Sequence, residues 1–439
     1  MLLPKTVRLL CFLASGLLFF CCKLAGAQSD EELPPLSMFV ESAARYSAES
    51  LSNALDLKLA GARVTRAWSS LAPRVSVTGN LTRNEFDQTL AVPGAAEAPR
   101  VFVAENQREL QLEVTVPVIA ASRWSQIAAE RRLRDSQRWR SEARDDEIEL
   151  LVTSAYYDFV GQSQLLRAVR RSLDATTERV RTLESRLRSG LAAELDLDQA
   201  RAQAASSLQT VASVEADQAE SARRLRTLSG IDPRAYIVIG LSGEVEDPGP
   251  ADYWLSSLAS RPPVRVQQAT LDSRDSDVLA AWLDLAPEVE AFARQTFTNA
   301  PGFAPERNVW ALGARASWTL DGARISDVSL ARDRAGLAEV ELRRVIDEER
   351  NAVEDAMLRL RASVQRVSAA TAQEAAAARA LAATLKGYEA GRSTQLDIVL
   401  AERDQLDAEG ARIQALAEFA YLKRVLELRS GRSWEGRPR

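Results

Sequence analysis

Asp196 and Asp397 stand 201 residues apart. Each follows a glycine by six positions, in Gly190-Leu191-Ala192-Ala193-Glu194-Leu195-Asp196-Leu197 and Gly391-Arg392-Ser393-Thr394-Gln395-Leu396-Asp397-Ile398. A carboxylate so placed can do one of two jobs. At a helix start it answers the exposed N–H groups and the helix dipole. Repeated by symmetry around a pore, it concentrates negative potential and favours cations and divalent blockers. Both readings apply to Asp397, and the helix-start reading leads for Asp196. Tyr388 and Arg392 flank the second glycine. They could bond to neighbouring helices and hold such an end closed, or simply be solvated surface side chains.

Residue types exclude most other chemistry. The chain has no histidine, so the commonest general base and a common metal ligand are missing. Its three cysteines, Cys11, Cys21 and Cys22, all fall in the leader, and nothing after them can form a disulfide or a thiolate site. Asp196-Leu197-Asp198 is too sparse for a calcium loop. Paired carboxylates for glycoside hydrolysis would need a pocket, which the long heptad-bearing segments do not suggest. We expect no catalytic residue, no cofactor and no metal, and hence no enzyme.

Lys5 and Arg8, the apolar run from Leu9 to Phe20 and Ala25-Gly26-Ala27 read as a cleavable secretory signal over residues 1–27. Lipid attachment at Cys21 or Cys22 is the alternative, although Phe19 and Phe20 stand where such a signal wants small residues. Without Lys5, Arg8 and Lys23, the balance is 53 basic against 61 acidic residues, a net charge of −8. That argues against nucleic-acid binding. No later segment holds the roughly 18 apolar residues of a membrane helix, so integral contact with a membrane would need strands.

The elements that would position the two aspartates occur twice. A proline-free amphipathic helix is expected from Leu36 to Leu71, ended by Ala72-Pro73. A strand follows, with Val75, Val77, Gly79 and Leu81 alternating with polar residues. After a loop rich in Ala, Pro and Gly from about Glu85 to Asn106 comes a better strand, where Leu110, Leu112, Val114, Val116 and Val118 alternate with Glu109, Gln111, Glu113 and Thr115. Both are long enough to cross an outer membrane when tilted. From Pro117 to Pro233 there is no proline, predicting a very long helix, a turn at Gly190 and a return helix from about Glu194 to Leu228.

The second copy retraces this path. We expect a helix from Val264 to Leu285, Ala286-Pro287, a weak strand from Glu288 to Thr298, and a strand from Asn308 to Leu320 with Trp310, Leu312, Ala314, Ala316, Trp318 and Leu320 on one face. A helix resumes after Arg324, with Ile346, Val353, Met357, Leu360, Val364 and Val367 in coiled-coil register, turning back at Gly391. The glycines serve a turn that needs positive φ or close backbone approach. The chain thus divides into a signal peptide (1–27), a first repeat (28–229), a connector (230–263) in which Tyr236-Ile237-Val238-Ile239 is a candidate short strand, and a second repeat (264–439).

Four strands cannot close a barrel, and open edges in hydrocarbon would leave N–H and C=O groups unpaired at several kcal/mol each. Three copies give twelve strands and twelve helical arms, so a homotrimer is the simplest closed solution. Trp310 and Trp318 would lie roughly 20 Å apart along a tilted barrel, matching a membrane aromatic girdle, unless they belong to a soluble core. The fold class expected is mainly α with a small β part: long α-helical hairpins forming a trimeric α-barrel, four strands per chain contributing to a 12-stranded transmembrane β-barrel, and an internal two-fold repeat.

Taken together, these residues resemble the TolC family of outer-membrane channel proteins. The likeness rests on the order helix, strand, strand, long hairpin occurring twice and on the Ala-Pro before the first and third strands. It rests also on Gly190, Leu191, Asp196, Ala200, Arg201 and Ala202 in one tip and Tyr388, Gly391, Leu396 and Asp397 in the other. The resemblance implies a homotrimer in the outer membrane of a Gram-negative cell, in contact with outer-membrane lipid and spanning into the periplasm. It implies a periplasmic adaptor (membrane fusion) protein docking at the tip through Gly190, Leu191 and Gly391, an inner-membrane transporter behind it, and a role in efflux or type I secretion. Asp397, Tyr388, Arg392 and Asp196 would form the periplasmic gate. Two positions depart from the family pattern: Leu400 stands where a second aspartate is usual, and Ser393 where an arginine is. A periplasmic coiled-coil scaffold or adaptor without a pore is the alternative reading.

Overall fold

The computed structural model describes residues 32–90, 100–241, 245–301, 304 and 306–436. The signal peptide over 1–27, with Cys21 and Cys22, lies outside them. The chain is mainly helical with a small four-stranded sheet, as the pattern predicts. It packs as two compact units. One holds the residues up to Ala48 with Ile148–Pro248 and Met357–Leu426, and the other Glu49–Glu147, Gly249–Ala356 and Glu427–Arg439. Each unit draws on both sequence copies, so the unit of duplication is not the unit of packing.

The helix expected from Leu36 to Leu71 is two helices, α1 (Leu36–Tyr46) and α2 (Ala48–Ser69). Between them Ser47 takes an extended conformation (φ −68°, ψ 144°) and its N–H bonds Ala43 O. Neither proline nor glycine marks the break, and apolar periodicity runs through it.

The second unit holds the sheet. Strands β1 (Arg74–Arg83), β4 (Asn106–Ile119), β5 (Glu288–Thr298) and β6 (Asn308–Ser317) pair antiparallel in the order β1-β4-β5-β6. The β1–β4 connection, expected as loop, contains a short ribbon of β2 (Gln88–Leu90) and β3 (Arg100–Val103). Val101-Phe102-Val103 is β-prone but too short to show alternation amid Ala, Pro and Gly. Strand β6 stops three residues earlier than its alternation suggests, because pairing ends at Glu288↔Ser317.

Helix α3 (Ala121–Arg188) leads to α4 (Glu194–Ser229), and α7 (Gly322–Glu389) to α8 (Gln395–Ser430). At about 1.5 Å per residue, each 68-residue helix contains on the order of 100 Å of rise. Helix α7 starts slightly earlier than expected because Asp321 accepts from Arg324 N–H at 2.9 Å, a side-chain cap. Of the predicted α7 seam, Val353, Met357, Leu360 and Val367 are buried, while Ile346 and Val364 are only half-buried. In the connector, Ala251–Leu255 forms a short helix, α5. Pro262 and Pro263 open α6 (Pro262–Leu283) rather than preceding it, since a missing N–H costs nothing in the first turn. The candidate strand at Tyr236–Ile239 amounts to one isolated bridge, Glu32↔Ile237.

In the first unit, α1 drives Phe39 and Ala43 into a cluster with Ile148, Val152, Ala155 and Phe159 of α3 and Ala222 and Leu225 of α4. Tyr156 meets Phe39 edge-to-face at 5.5 Å and donates to Pro34 O at 3.2 Å; burial pushes its hydroxyl up to about 12. Further along, Leu166 and Val169 of α3 pack on Val211 and Val214 of α4, and Leu183 on Leu197 and Ala200. Ion pairs cross between the same unit's helices: Arg171–Glu409 at 2.6 Å and Arg179–Glu402 join α3 to α8, and Arg366–Glu418 at 2.8 Å joins α7 to α8.

Candidate functional site

Because side chains alternate across a strand, the register decides what each face of the sheet presents. Val77 pairs with Leu112, Leu112 with Gln295 and Gln295 with Trp310; one row further, Val75, Val114, Ala293 and Leu312 align. This face is almost wholly apolar and uncovered: Leu81 is 84% exposed, Leu312 73% and Trp310 72%. Leaving such a surface in water is costly, at about 25 cal/mol per Å².

The opposite face is polar. Ser76, Glu113, Arg294 and Ala311 form one row. Glu113 is bonded by Arg294 at 3.1 Å and by Gln111 at 2.8 Å, with Arg315 3.9 Å away. Both guanidiniums also lie over the Phe292 ring, at 5.5 and 5.2 Å. Gly313 sits directly opposite Phe292, and a Cβ there would come within 3.0 Å of the ring. The glycine makes the room the aromatic occupies. Sequence reading missed this Glu–Arg–Arg–Phe cluster. Glu113 was visible on the polar face of its strand, but Arg294 and Arg315 lie on strands judged by their apolar residues alone.

Trp310 is the third residue of β6, and Trp318 lies one residue past its other end, where its indole N–H donates to Leu285 O at 2.9 Å. The two thus lie near opposite ends of β6, with Trp318 tied to the end of the preceding helical segment rather than to the ladder.

The hairpin tips belong to the first unit, and the glycine turns that end their first helices repeat each other. Gly190 (φ +68°) and Gly391 (φ +69°) are left-handed, a region open to glycine at no steric cost. Gly190 N–H donates to Leu187 O at 3.0 Å and Leu191 N–H to Arg186 O at 2.8 Å; Gly391 N–H donates to Tyr388 O at 3.0 Å and Arg392 N–H to Gly387 O at 2.7 Å. Each long helix thus ends in a Schellman motif, the C-terminal glycine stop that satisfies the last carbonyls. Leu191 projects into solvent beside the turn. Among the described residues, the side chains of Tyr388 and Arg392 make no hydrogen bond or ion pair.

The return helices start differently. Thr394 and Asp397 form a capping box: the Asp397 carboxylate accepts from Thr394 N–H at 2.7 Å and from its hydroxyl at 2.8 Å, and Asp397 N–H donates to Thr394 Oγ1 at 3.2 Å. The backbone bond from Thr394, then its hydroxyl, hold the Asp397 carboxyl below its ordinary value. Asp196 stands in the first turn of α4 beside Glu194, but the equivalent of Thr394 is Ala193, which caps nothing. The capping role of Asp397 and an anionic role at the tip are compatible, because the cap keeps the group ionised and exposed.

Thr394→Ala is expected to speed amide exchange at Asp397 and Ile398 on the order of fivefold, the loss typical of one cap. Ala193→Thr, which offers Asp196 the missing partner, should slow exchange in the other tip. Since the folded Asp397 carboxyl is depressed, its contribution is present above the ordinary value of 3.8 and disappears as pH falls through the folded one. Exchange rates unchanged in Thr394→Ala would remove the capping box from the account. Among the described residues no cluster suited to a metal ion occurs, and no helix is long and apolar enough to cross a membrane.

The chain matches the family model described as outer membrane efflux protein over residues 42–231 and 255–430. It is similar to outer membrane efflux protein BepC of Brucella suis biovar 1 (strain 1330), 25% identical over 294 residues, covering 64% of each chain. It is similar also to Nodulation protein T of Rhizobium leguminosarum bv. trifolii, 22% identical over 294 residues, or 64% of this chain and 62% of that one. The match spans just under two thirds of the length of these curated relatives. Among solved structures, the outer membrane protein VceC from Vibrio cholerae superposes with a TM-score of 0.74 at 18% identity, covering 91% of this chain and 96% of VceC. The Campylobacter jejuni CmeC outer membrane channel does so with a TM-score of 0.75 at 16% identity, covering 90% and 85%. At these identities the likeness is one of fold.

Proposed function

We infer the function from one premise, that this chain belongs to the outer membrane efflux protein family, and propose that it works as a trimeric conduit. Three copies join β6 of one chain to β1 of the next and close a 12-stranded barrel through the outer membrane. The observation that carries this reading is the two-faced sheet with two open edges. Its apolar face suits hydrocarbon, its polar face with Glu113, Arg294 and Arg315 suits a water-filled lumen, and β1 and β6 leave backbone groups that only a neighbouring sheet can satisfy. A soluble scaffold would have no use for an uncovered face of Val, Leu and Trp.

The helical hairpins extend the conduit on the periplasmic side, and their tips form its gate and the docking end for an adaptor protein fed by an inner-membrane transporter. Gly190, Leu191 and Gly391 shape that end; Asp397, Tyr388, Arg392 and Asp196 line its opening. The capping box orients the Asp397 carboxylate, and three such groups favour cations. Trp310 and Trp318 mark the two edges of the apolar band.

Reconstituted in a planar bilayer, the purified protein is expected to give stepwise, cation-preferring conductance. Asp397→Ala should remove about half of that preference. Absence of conductance from a correctly folded trimer would sink the conduit reading, and unchanged selectivity would take Asp397 out of the gate.

A further inference from the structure

We propose that the helix-side rim of the sheet carries a phospholipid head-group site built twice, from Trp68 with Arg131 and from Trp282 with Arg332. The inference rests on the membrane-channel reading above.

Every one of the four strand–helix junctions carries a tryptophan. Trp68 ends α2 just before β1, Trp124 opens α3 just after β4, Trp282 ends α6 just before β5, and Trp318 follows β6 directly. All four are exposed, by 38, 56, 48 and 67%. Indole rings gather where hydrocarbon meets head groups, because the ring body is apolar and the N–H wants a polar partner. A row of four along one rim of a sheet whose flat face is apolar marks that boundary.

Two of the rings carry a guanidinium. Arg131 lies 5.0 Å over Trp68 and Arg332 5.1 Å over Trp282. Both arginines are exposed, and among the described residues neither has an ion-pair or hydrogen-bonding side-chain partner. Two arginines nearer the strands are engaged: Arg123 donates to Ser70 O and pairs with Glu288 and Glu290, and Arg324 donates to Asp284 O. A guanidinium stacked on an aromatic keeps its planar fork of donors free, the arrangement that binds phosphate oxygens two at a time.

The duplication makes the pairing more than surface decoration. Trp68 and Trp282 each lie five residues before the proline that precedes a strand, Pro73 and Pro287, and Arg131 and Arg332 each lie 59 residues before a tip glycine. The positions around them have diverged: Arg132 corresponds to Asp333 and Arg134 to Ala335. The Trp–Arg contact stays, together with the bond from Arg123 or Arg324 to the carbonyl two residues after each tryptophan. Helical side chains lean towards the N-terminus of their helix, and α3 and α7 both start at the sheet. Each guanidinium therefore reaches back towards the rim, the direction in which a long cationic side chain snorkels to a lipid phosphate.

The test compares the full trimer with the double variant Arg131→Gln, Arg332→Gln, which keeps a planar group to stack on each indole but removes the charge. Both are purified from nanodiscs containing phosphatidylglycerol, and the retained lipid is counted by native mass spectrometry. Retention is expected to fall about tenfold in the variant, as for loss of a charge-assisted bidentate pair. In parallel, tryptophan emission is followed in vesicles of lipid brominated near the head group, with Trp310→Phe identifying the contribution of the opposite rim. Quenching at the junction with unchanged lipid retention would overturn the head-group site and leave the channel standing. Absence of quenching at every tryptophan, Trp310 included, would overturn the membrane reading and this inference with it.

Discussion

Leu112→Arg is expected to abolish heat-stable trimers in the membrane fraction, whereas Gln111→Arg, its neighbour, should leave them intact. Leu112 is in the middle of β4 on the uncovered apolar face, between Val77 and Gln295. A cation on the lipid face at mid-membrane costs about 2–4 kcal/mol per site. Three symmetry copies raise that to roughly 6–12 kcal/mol for one barrel, comparable with the whole stability of an ordinary domain. Gln111 points to the other face, where it already donates to Glu113, and an arginine there joins a polar wall. Membrane fractionation and semi-native gels read the difference. If the two variants behave alike, the sheet does not divide lipid from lumen.

Arg179→Ala is expected to cost about 2–3 kcal/mol, through the charge it leaves behind more than through the contact it removes. Arg179 and Glu402 join α3 to α8 with little access to water, their side chains 19% and 11% exposed. Burial pushes the Glu402 carboxyl above its ordinary value of 4.5, with Arg179 pulling it down. Without the arginine only the upward push remains. A carboxyl whose folded value is raised favours the fold while protonated, and that advantage disappears as pH rises through the folded value. The variant should therefore be close to wild type near pH 4 and clearly weaker near pH 8 in thermal melts. Adding Glu402→Gln to Arg179→Ala should restore most of the loss, because the buried charge goes with it. A deficit equal at both pH values would show that lost packing, not an orphaned carboxylate, sets the cost.

The sequence by itself determined the order of elements, the alternation of β1, β4 and β6, the turn at each tip and the doubling of the whole pattern. These features have local causes: a two-residue period fixes a strand, a proline-free seven-residue register fixes a helical arm, and a glycine that can adopt positive φ fixes its end. Where no residue type carries the local signal, the reading fell short. Ser47 divides α1 from α2 without a proline or glycine, and Val101-Phe102-Val103 pairs as β3 in a stretch too short to show a period.

Only the tertiary structure decided which residues meet. It brought Arg294 and Arg315 to Glu113 from strands about 180 and 200 residues further along the chain. It also gave the Asp397 carboxylate to Thr394 while leaving Asp196 opposite an alanine, and set Arg131 and Arg332 over Trp68 and Trp282. Periodicity says which face a side chain takes, but the partner on that face is set by register between segments distant in sequence. Register is a property of the packed whole, which no local window of residues contains.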